Sequence, residues 1–405
     1  MADAASSDEQ RFKKIAGAFV LMMGTVSLFG DMTYEGARSL TGPYFQLLGA
    51  SAAAVGFAAG LGEFVGYALR LVSGWIGEKT KAYWALVVTG YAINLIAVPG
   101  LAYAGDWQVA VGLLVLERLG KAIRSPARST LVSYAANRAG AGKMFGLEEA
   151  MDQIGAVAGP LLCTAAIALG PAEEPALEHY QQAFKWLAGP ALATLALVLL
   201  ARNKFPKPES LEQNRPQLQS FGKLFGLYAV AAALLGFGFA DWALVAFHGA
   251  KTGVFDVKWL PALYSAAMGV DAVAALTFGR LFDKYGIGTL ALAAVISAGF
   301  APLVFLAPAA YGLLLGGVLW AVSMGAQESI FKAAIATLVP KEQRSRAYGL
   351  FFALFGLTWW LGSTLLGWLY ERSIPTMVAV SVVAQLLAAP LFLVVASRAR
   401  AAAAR

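Results

Sequence analysis

Cysteine, histidine and charge are all scarce in this chain of 405 residues. The single cysteine, Cys163, excludes a disulfide framework and any cysteine-rich metal site. Two histidines, His179 and His248, leave little for a histidine metal cage or a histidine-dependent triad. Charged residues make up 14% of the chain, against about 25% in soluble proteins. Intrinsic disorder needs low hydrophobicity and high net charge, and is excluded by a 59% hydrophobic content. Period-2 alternation in segments of about ten residues is missing, which argues against a membrane β-barrel. No nucleotide-binding loop, metal cluster or catalytic triad is recognisable, so an enzyme is not expected. What is abundant is glycine (43 residues) and aromatic side chains (12%), as in membrane helices.

A helix needs about 20 apolar residues to cross the bilayer core. The sequence offers twelve such runs, near 15–42, 52–77, 82–104, 107–126, 144–169, 181–201, 221–247, 258–282, 287–308, 311–337, 346–370 and 375–397. The first run is too long for a signal-peptide core and is read as retained. With the N-terminus inside, 22 of the 31 Lys and Arg residues fall on inner segments, including those of the 4–5 loop (Arg124, Arg128, Arg138, Lys143). This is the positive-inside pattern, with both termini cytoplasmic and the chain in the cytoplasmic (inner) membrane. The net charge of +7 is therefore topological, and no nucleic-acid partner is expected. The expected fold is all-α, twelve transmembrane helices in two six-helix pseudo-repeats. The bundles are 1–201 and 223–405, joined by a cytoplasmic linker, 202–222, that carries Pro206, Pro208 and Pro216.

The halves echo one another. Gly74-Trp75-Ile76-Gly77-Glu78-Lys79 matches Gly279-Arg280-Leu281-Phe282-Asp283-Lys284, and Phe145-Gly146-Leu147 matches Tyr348-Gly349-Leu350. Gly159 pairs with Gly362, and Phe29-Gly30-Asp31 with Phe239-Ala240-Asp241. Two related six-helix halves are the plan of one large transporter fold. Over essentially the whole chain these residues resemble the major facilitator superfamily. Gly279 to Gly286 looks like that family's loop motif between helices 8 and 9, and Gly74 to Lys81 is a degenerate copy with Glu78 in place of the usual Asp. Gly146, Gly155 and Gly159-Pro160 resemble its helix 5 antiporter motif, although the final paired glycines are replaced by Cys163 and Thr164. Arg118 resembles its membrane-embedded arginine, with Ala122 where a glycine is usual. The resemblance implies alternating-access transport, tilts it toward proton-driven efflux, and implies an inner-gate contact from Asp283 to the start of helix 11.

An ionisable residue at bilayer depth costs roughly 2.5–3.5 kcal/mol on insertion scales and normally faces a cavity or a partner. In the first helix, spacings of four, three and seven put Asp31, Glu35 and Arg38 on one face. Asp31 lies about 24 Å from the inner end at 1.5 Å per residue. It is a candidate for proton coupling, with a salt bridge to Arg38 as the plain alternative. Glu117-Arg118 in the fourth helix offers a permanent cation for Asp31 or for an anionic substrate. Glu63 and Arg70 share a face in the second helix, and Glu148 and Asp152 share one in the fifth, beside Glu149. Arg70, Glu78, Glu148, Arg280 and Asp283 are read as gating residues, and Asp152 also as a binding candidate. Asp241, Asp271 and the i, i+4 pair Glu328/Lys332 complete the coupling and binding candidates. The tryptophans 242, 320, 359 and 360, with Tyr34 and Tyr67, either line an apolar site or merely pack. Expected partners are a small-molecule substrate, protons and membrane lipid. A monomer suffices, without cofactor or metal. Two transport functions remain open, a proton-coupled exporter of a drug-like or metabolite substrate and a proton symporter or exchanger of an organic anion or sugar, with a non-transporting membrane receptor or enzyme as the remaining alternative.

Overall fold

The computed structural model describes residues 2–50, 52–169, 177–212, 222–252, 260–307 and 310–403. Glu63 and residues 213–221 of the linker lie outside what is described, Glu63 in its side chain. Among the described residues there are fifteen α-helices and no strand. They are α1 (Ala2–Leu47), α2 (Ala52–Thr80), α3 (Tyr83–Gly100), α4 (Trp107–Ala139), α5 (Ala141–Ala168), α6 (Leu177–Trp186) and α7 (Ala188–Lys204). After the linker follow α8 (Lys223–Gly238), α9 (Trp242–Thr252), α10 (Leu260–Tyr285), α11 (Thr289–Ala298), α12 (Phe300–Leu306), α13 (Ala310–Leu338), α14 (Arg344–Arg372) and α15 (Ile374–Ala403).

Three of the expected spans are each broken into two helices, and proline explains two of the breaks. Proline lacks an N–H and its ring clashes with the carbonyl four residues earlier. Four residues before Pro190 is Trp186, where α6 ends; four before Pro302 is Ala298, where α11 ends. The third break, between α8 and α9, falls at Phe239–Asp241 after two nearby glycines. Here Ser381 Oγ donates to the Gly238 carbonyl (2.6 Å), as does Gln385 Nε2 (3.1 Å), and the Trp320 indole donates to the Ala240 carbonyl (3.0 Å). Non-helical backbone at membrane depth is tolerated only when such donors replace the lost helix bonds or water reaches it.

Among the described residues, eight helical stretches are long and apolar enough to cross a bilayer, among them Phe12–Thr41, Ala141–Ala168, Ala310–Leu338 and Ile374–Ala402. One of them, Leu263–Leu306, has 44 residues and holds two of the expected spans, separated by a 3₁₀ turn at Gly286–Gly288. The fourth helix departs from expectation. It runs to Ala139, so Arg124 and Arg128 sit within a helix and the 4–5 connection is Gly140 alone. Pro126 does not stop it. Gly140 has φ +97°, a left-handed conformation that glycine adopts without penalty.

The described chain forms two compact units. The first comprises Met1–Arg138, Met151–Glu212 and Arg344–Leu350; the second comprises Ala139–Ala150, Gln213–Gln343 and Phe351–Arg405. The dividing lines run through α5 and α14, so the first turns of each belong with the unit built mainly from the other half of the sequence.

The helix 5 glycines are explained by packing. A side-chain carbon at Gly155 would collide with the Leu28 carbonyl, and one at Gly159 with the Met32 carbonyl, so α5 crosses α1 backbone to backbone. Pro160 follows within α5 without breaking it. Gly146 likewise abuts the Ala275 carbonyl of α10, and Gly362 meets Phe237 as Gly159 meets Met32. Gly159→Val is therefore expected to force the two helices apart and cost about 1–3 kcal/mol or more. Thermal unfolding in detergent checks this, and an unchanged midpoint would disprove the tight crossing.

Candidate functional site

Each unit carries its own set of buried or half-buried charged side chains. In the first unit, α1 and α4 face each other through Tyr34. The Arg118 guanidinium stands 4.6 Å and the Lys121 ammonium 3.5 Å from the centre of that ring. Such contacts are worth about 0.5–2 kcal/mol and fix a cation without neutralising it. Lys121 lies within the electrostatic reach of Asp31, Glu35, Glu117 and Arg118. Glu117 Oε2 is 3.5 Å from Arg118 Nε, and Glu117 also accepts a hydrogen bond from Asn94 (3.3 Å). Glu117 is thus flanked by Arg118 on its own helix and by Asn94 of α3. Asp31 is half-buried. Glu35 reaches the exposed Arg38 at 3.7 Å. Deeper along α4, the Arg124 guanidinium lies over Tyr91 at 4.3 Å, and Arg128 meets Asp152 at 3.7 Å and the Ser27 hydroxyl.

In the second unit the charges converge more tightly. Lys332 of α13 reaches the first turns of α5, with its ammonium 2.9 Å from Glu149 Oε2 and 3.8 Å from Glu148 Oε2. Glu149, Asp271 of α10 and Glu328 of α13 bring one carboxylate oxygen each within 4.8 Å of one another. Asp271 and Glu148 are completely buried, at 0% exposure. The floor of this cluster is set by glycine. A side chain at Gly325 would strike the Asp271 carbonyl, so α10 and α13 approach closely enough to share one polar pocket. Three converging carboxylates are able to ligate a cation, and Lys332 already supplies a positive charge to the same oxygens. The i, i+4 pair Glu328/Lys332 thus belongs to a larger group, because the lysine extends beyond its own helix to α5.

Glu148 and Asp152 share a face of α5 as the spacing requires, yet they meet different cations, Lys332 and Arg128. Asp241 lies at the α8–α9 break, half-buried, beside Trp242, whose ring packs on Trp320 (5.1 Å) and Tyr264 (5.4 Å). Arg70 stacks on Tyr67 (4.8 Å), and Glu78 lies 3.9 Å from Arg346 at the start of α14. Arg280 is exposed. The contact expected from Asp283 to the start of helix 11 is replaced by another. Its two carboxylate oxygens accept hydrogen bonds from the backbone N–H groups of Gly142 and Lys143, both at 2.8 Å, and so cap α5. The first N–H groups of a helix have no partner within it and carry partial positive charge, so a carboxylate from α10 satisfies them. Glu78, from the first-half copy of the loop, is the one that meets α14.

The loop motifs point to one family, and comparison with known families supports it. Its model, described as Major Facilitator Superfamily, matches residues 16–250 and 247–405. The chain belongs to the major facilitator superfamily. Family and fold are those of transporters, and the chain is a multi-pass membrane protein. This superfamily member is 38% identical over 382 residues to an uncharacterized protein of Mycobacterium tuberculosis, covering 92% of this chain and 91% of the other. Two solved structures share its fold. A bacterial homologue of the iron transporter ferroportin in an outward-facing state has a TM-score of 0.72 at 16% identity, over 94% of this chain and 100% of that one. The Escherichia coli fucose:proton symporter FucP has a TM-score of 0.67 at 16% identity, over 95% and 98% of the two chains.

The sequence places Glu149 beside Glu148, among acids read as inner-gate ion-pair partners, and Lys121 one turn beyond Arg118. Both are central to the charge clusters. Helical phase shows Lys121 one turn from Arg118, whereas nothing local to α5 announces that Glu149 faces a lysine 183 residues away.

Proposed function

We propose that the chain is a secondary active transporter that exports a drug-like or metabolite substrate across the cytoplasmic membrane by proton antiport. In this reading the six-helix bundles 1–201 and 223–405, twelve crossings in all, alternate access around a central site, with both termini and the 202–222 linker in the cytoplasm. The observation that carries the proton coupling is the buried group around Lys332. Four carboxylates, Glu148, Glu149, Asp271 and Glu328, share the neighbourhood of one ammonium. Each proton or cation accepted there changes which oxygens attract Lys332, and Lys332 bridges α13 to α5. Protonation is thereby tied to the relative position of two helices, as coupling requires. Asp31 beside Lys121 is the second candidate for the same role.

A second reading, symport or exchange of an organic anion or sugar, is favoured by the Arg118 and Lys121 cations held on Tyr34 and by the likeness in fold to a fucose:proton symporter. Reconstitution into proteoliposomes separates the two. A panel of lipophilic cations, organic anions and sugars is offered with a pH gradient in either direction, and internal pH is followed with a dye. The expected result is substrate entry that drives protons outward. Proton and substrate moving together would replace antiport by symport, and no substrate-dependent proton movement across the panel would defeat proton coupling.

A further inference from the structure

We infer that neighbouring ends of α1, α3 and α7 in the first unit form a binding site for the headgroup of an anionic phospholipid. The inference goes beyond the transport reading and takes from it only the topology, in which these ends face the cytoplasm. Residues 10–14, 79–84 and 202–207 hold eight Lys and Arg and no Asp or Glu. The first segment lies in α1, the second spans the turn from α2 to α3, and the third runs off the end of α7. The helices α1, α3 and α7 pack against one another. Phe19 of α1 ties their ends together, its ring centre 6.2 Å from that of Trp84 and 5.0 Å from that of Phe205.

The basic side chains flank this aromatic seam. Lys14 precedes Phe19 by five residues, about 7.5 Å along the helix axis. Lys81 precedes Trp84 by three residues, and Lys204 adjoins Phe205 with its ammonium 5.8 Å from the centre of that ring. Lys14, Lys81, Arg202 and Lys204 are all exposed. At the end of α2, the Lys79 ammonium stands 4.2 Å from the ring centre of Trp75, which is itself 47% exposed. Tryptophan rings of this kind mark the level of the lipid headgroups.

A general bias of cations toward the cytoplasm does not explain where these ones stand. Lys81 has φ +55° and, among the described residues, is the one non-glycine in the left-handed region. Its N–H caps α2 at the Gly77 carbonyl (2.9 Å), a position that glycine usually fills because it has no side chain to clash. Lys81 also directly precedes Ala82, the N-cap of α3, where the partial positive charge of the helix end repels a cation. An anion bound there offsets that repulsion. The Trp84 indole N–H points to the same kind of ligand. It is shielded from solvent and has no acceptor among the described residues. A buried donor without an acceptor is destabilising until an oxygen reaches it. A phospholipid headgroup brings phosphate oxygens that form charge-assisted hydrogen bonds with ammonium and guanidinium groups. Its acyl chains hold the phosphate at the depth of the helix ends, whereas soluble phosphate has to be captured from bulk water. One headgroup thereby joins α1, α3 and α7.

The test measures the lipid retained by the full chain. The protein is taken into detergent from vesicles of equal phosphatidylglycerol and phosphatidylcholine, and bound lipid is weighed by native mass spectrometry. Because each basic residue near a charged headgroup is worth about a fivefold change in binding, phosphatidylglycerol is expected to be retained over phosphatidylcholine by at least that factor. Lys81→Gly/Lys204→Gln is expected to lose the excess. Glycine suits the backbone at position 81, so this variant should unfold at or above the parental midpoint. Arg398→Gln/Arg400→Gln removes the same charge from the exposed end of α15 and should keep the excess. Equal retention of the two lipids, or equal loss from both double variants, would overturn the site. Displacement of the lipid by millimolar inorganic phosphate would also overturn it, since the ligand would then be a soluble anion. No substrate or gradient enters the measurement, so its failure leaves the transport reading standing.

Discussion

Replacing Lys332 by methionine is expected to destabilise the protein by about 3–5 kcal/mol, the usual cost of removing one partner from a buried ion pair. Lys332 lies 2.9 Å from Glu149 and 3.8 Å from Glu148, and Glu148 is wholly buried. Without the ammonium, Glu149 stands with Asp271 and Glu328, three carboxylates with oxygens within 4.8 Å of one another. The lost stability should appear as a lowered unfolding midpoint in detergent and as the disappearance of gradient-driven transport. Adding Glu149→Gln to Lys332→Met removes the acid left behind, and should recover part of the stability but none of the coupling. The two changes are then non-additive, as expected for residues in contact. Strictly additive effects would mean that the 2.9 Å contact carries no energy and that the cluster is not a unit.

The second large effect concerns Glu328. A pH difference of one unit is worth about 1.4 kcal/mol per proton, so one-for-one exchange supports up to about tenfold substrate accumulation. Glu328→Gln keeps the shape of the side chain and removes one of the three carboxylates that converge within 4.8 Å. If this group couples protons to substrate, the variant should equilibrate substrate across the membrane but no longer concentrate it. Accumulation in response to an imposed pH gradient decides the matter, and counterflow without a gradient controls for folding. A variant that still concentrates substrate about tenfold would move the coupling role to Asp31 and its neighbour Lys121. The corresponding change, Asp31→Asn, would then take the place of Glu328→Gln in the same assay.

The two predictions concern residues that were visible in the sequence for different reasons. Lys332 and Glu328 stood out because ionisable groups are costly at bilayer depth. Their i, i+4 spacing suggested a self-contained pair. The structure extends the lysine to Glu149 of α5 as well, while Gly325 lets α10 and α13 approach so that Asp271 joins the group. Asp283 shows a similar shift. The repeat located it at a helix edge and electrostatics favoured a helix N-terminus, but the helix it caps is α5, while Glu78 from the matching loop meets α14. Local composition says that an acid will seek exposed N–H groups; it does not say whose.

Scarce charge, long apolar runs, the repeated Gly–Asp/Glu–Lys loops and the spaced glycines of α5 determine, from the sequence alone, an all-helical membrane protein of the major facilitator superfamily. Those properties follow from the bilayer, which penalises unsatisfied backbone and charge wherever they occur along the chain. The pairing of charges was decided only by tertiary structure. Arg128 with Asp152, Lys332 with Glu149, and Arg344 with Glu212 join side chains of different segments, and each depends on helix phase and on how the segments pack. The charge count that first marked a membrane protein is readable one residue at a time, whereas a buried ion pair is a property of two segments brought together by packing.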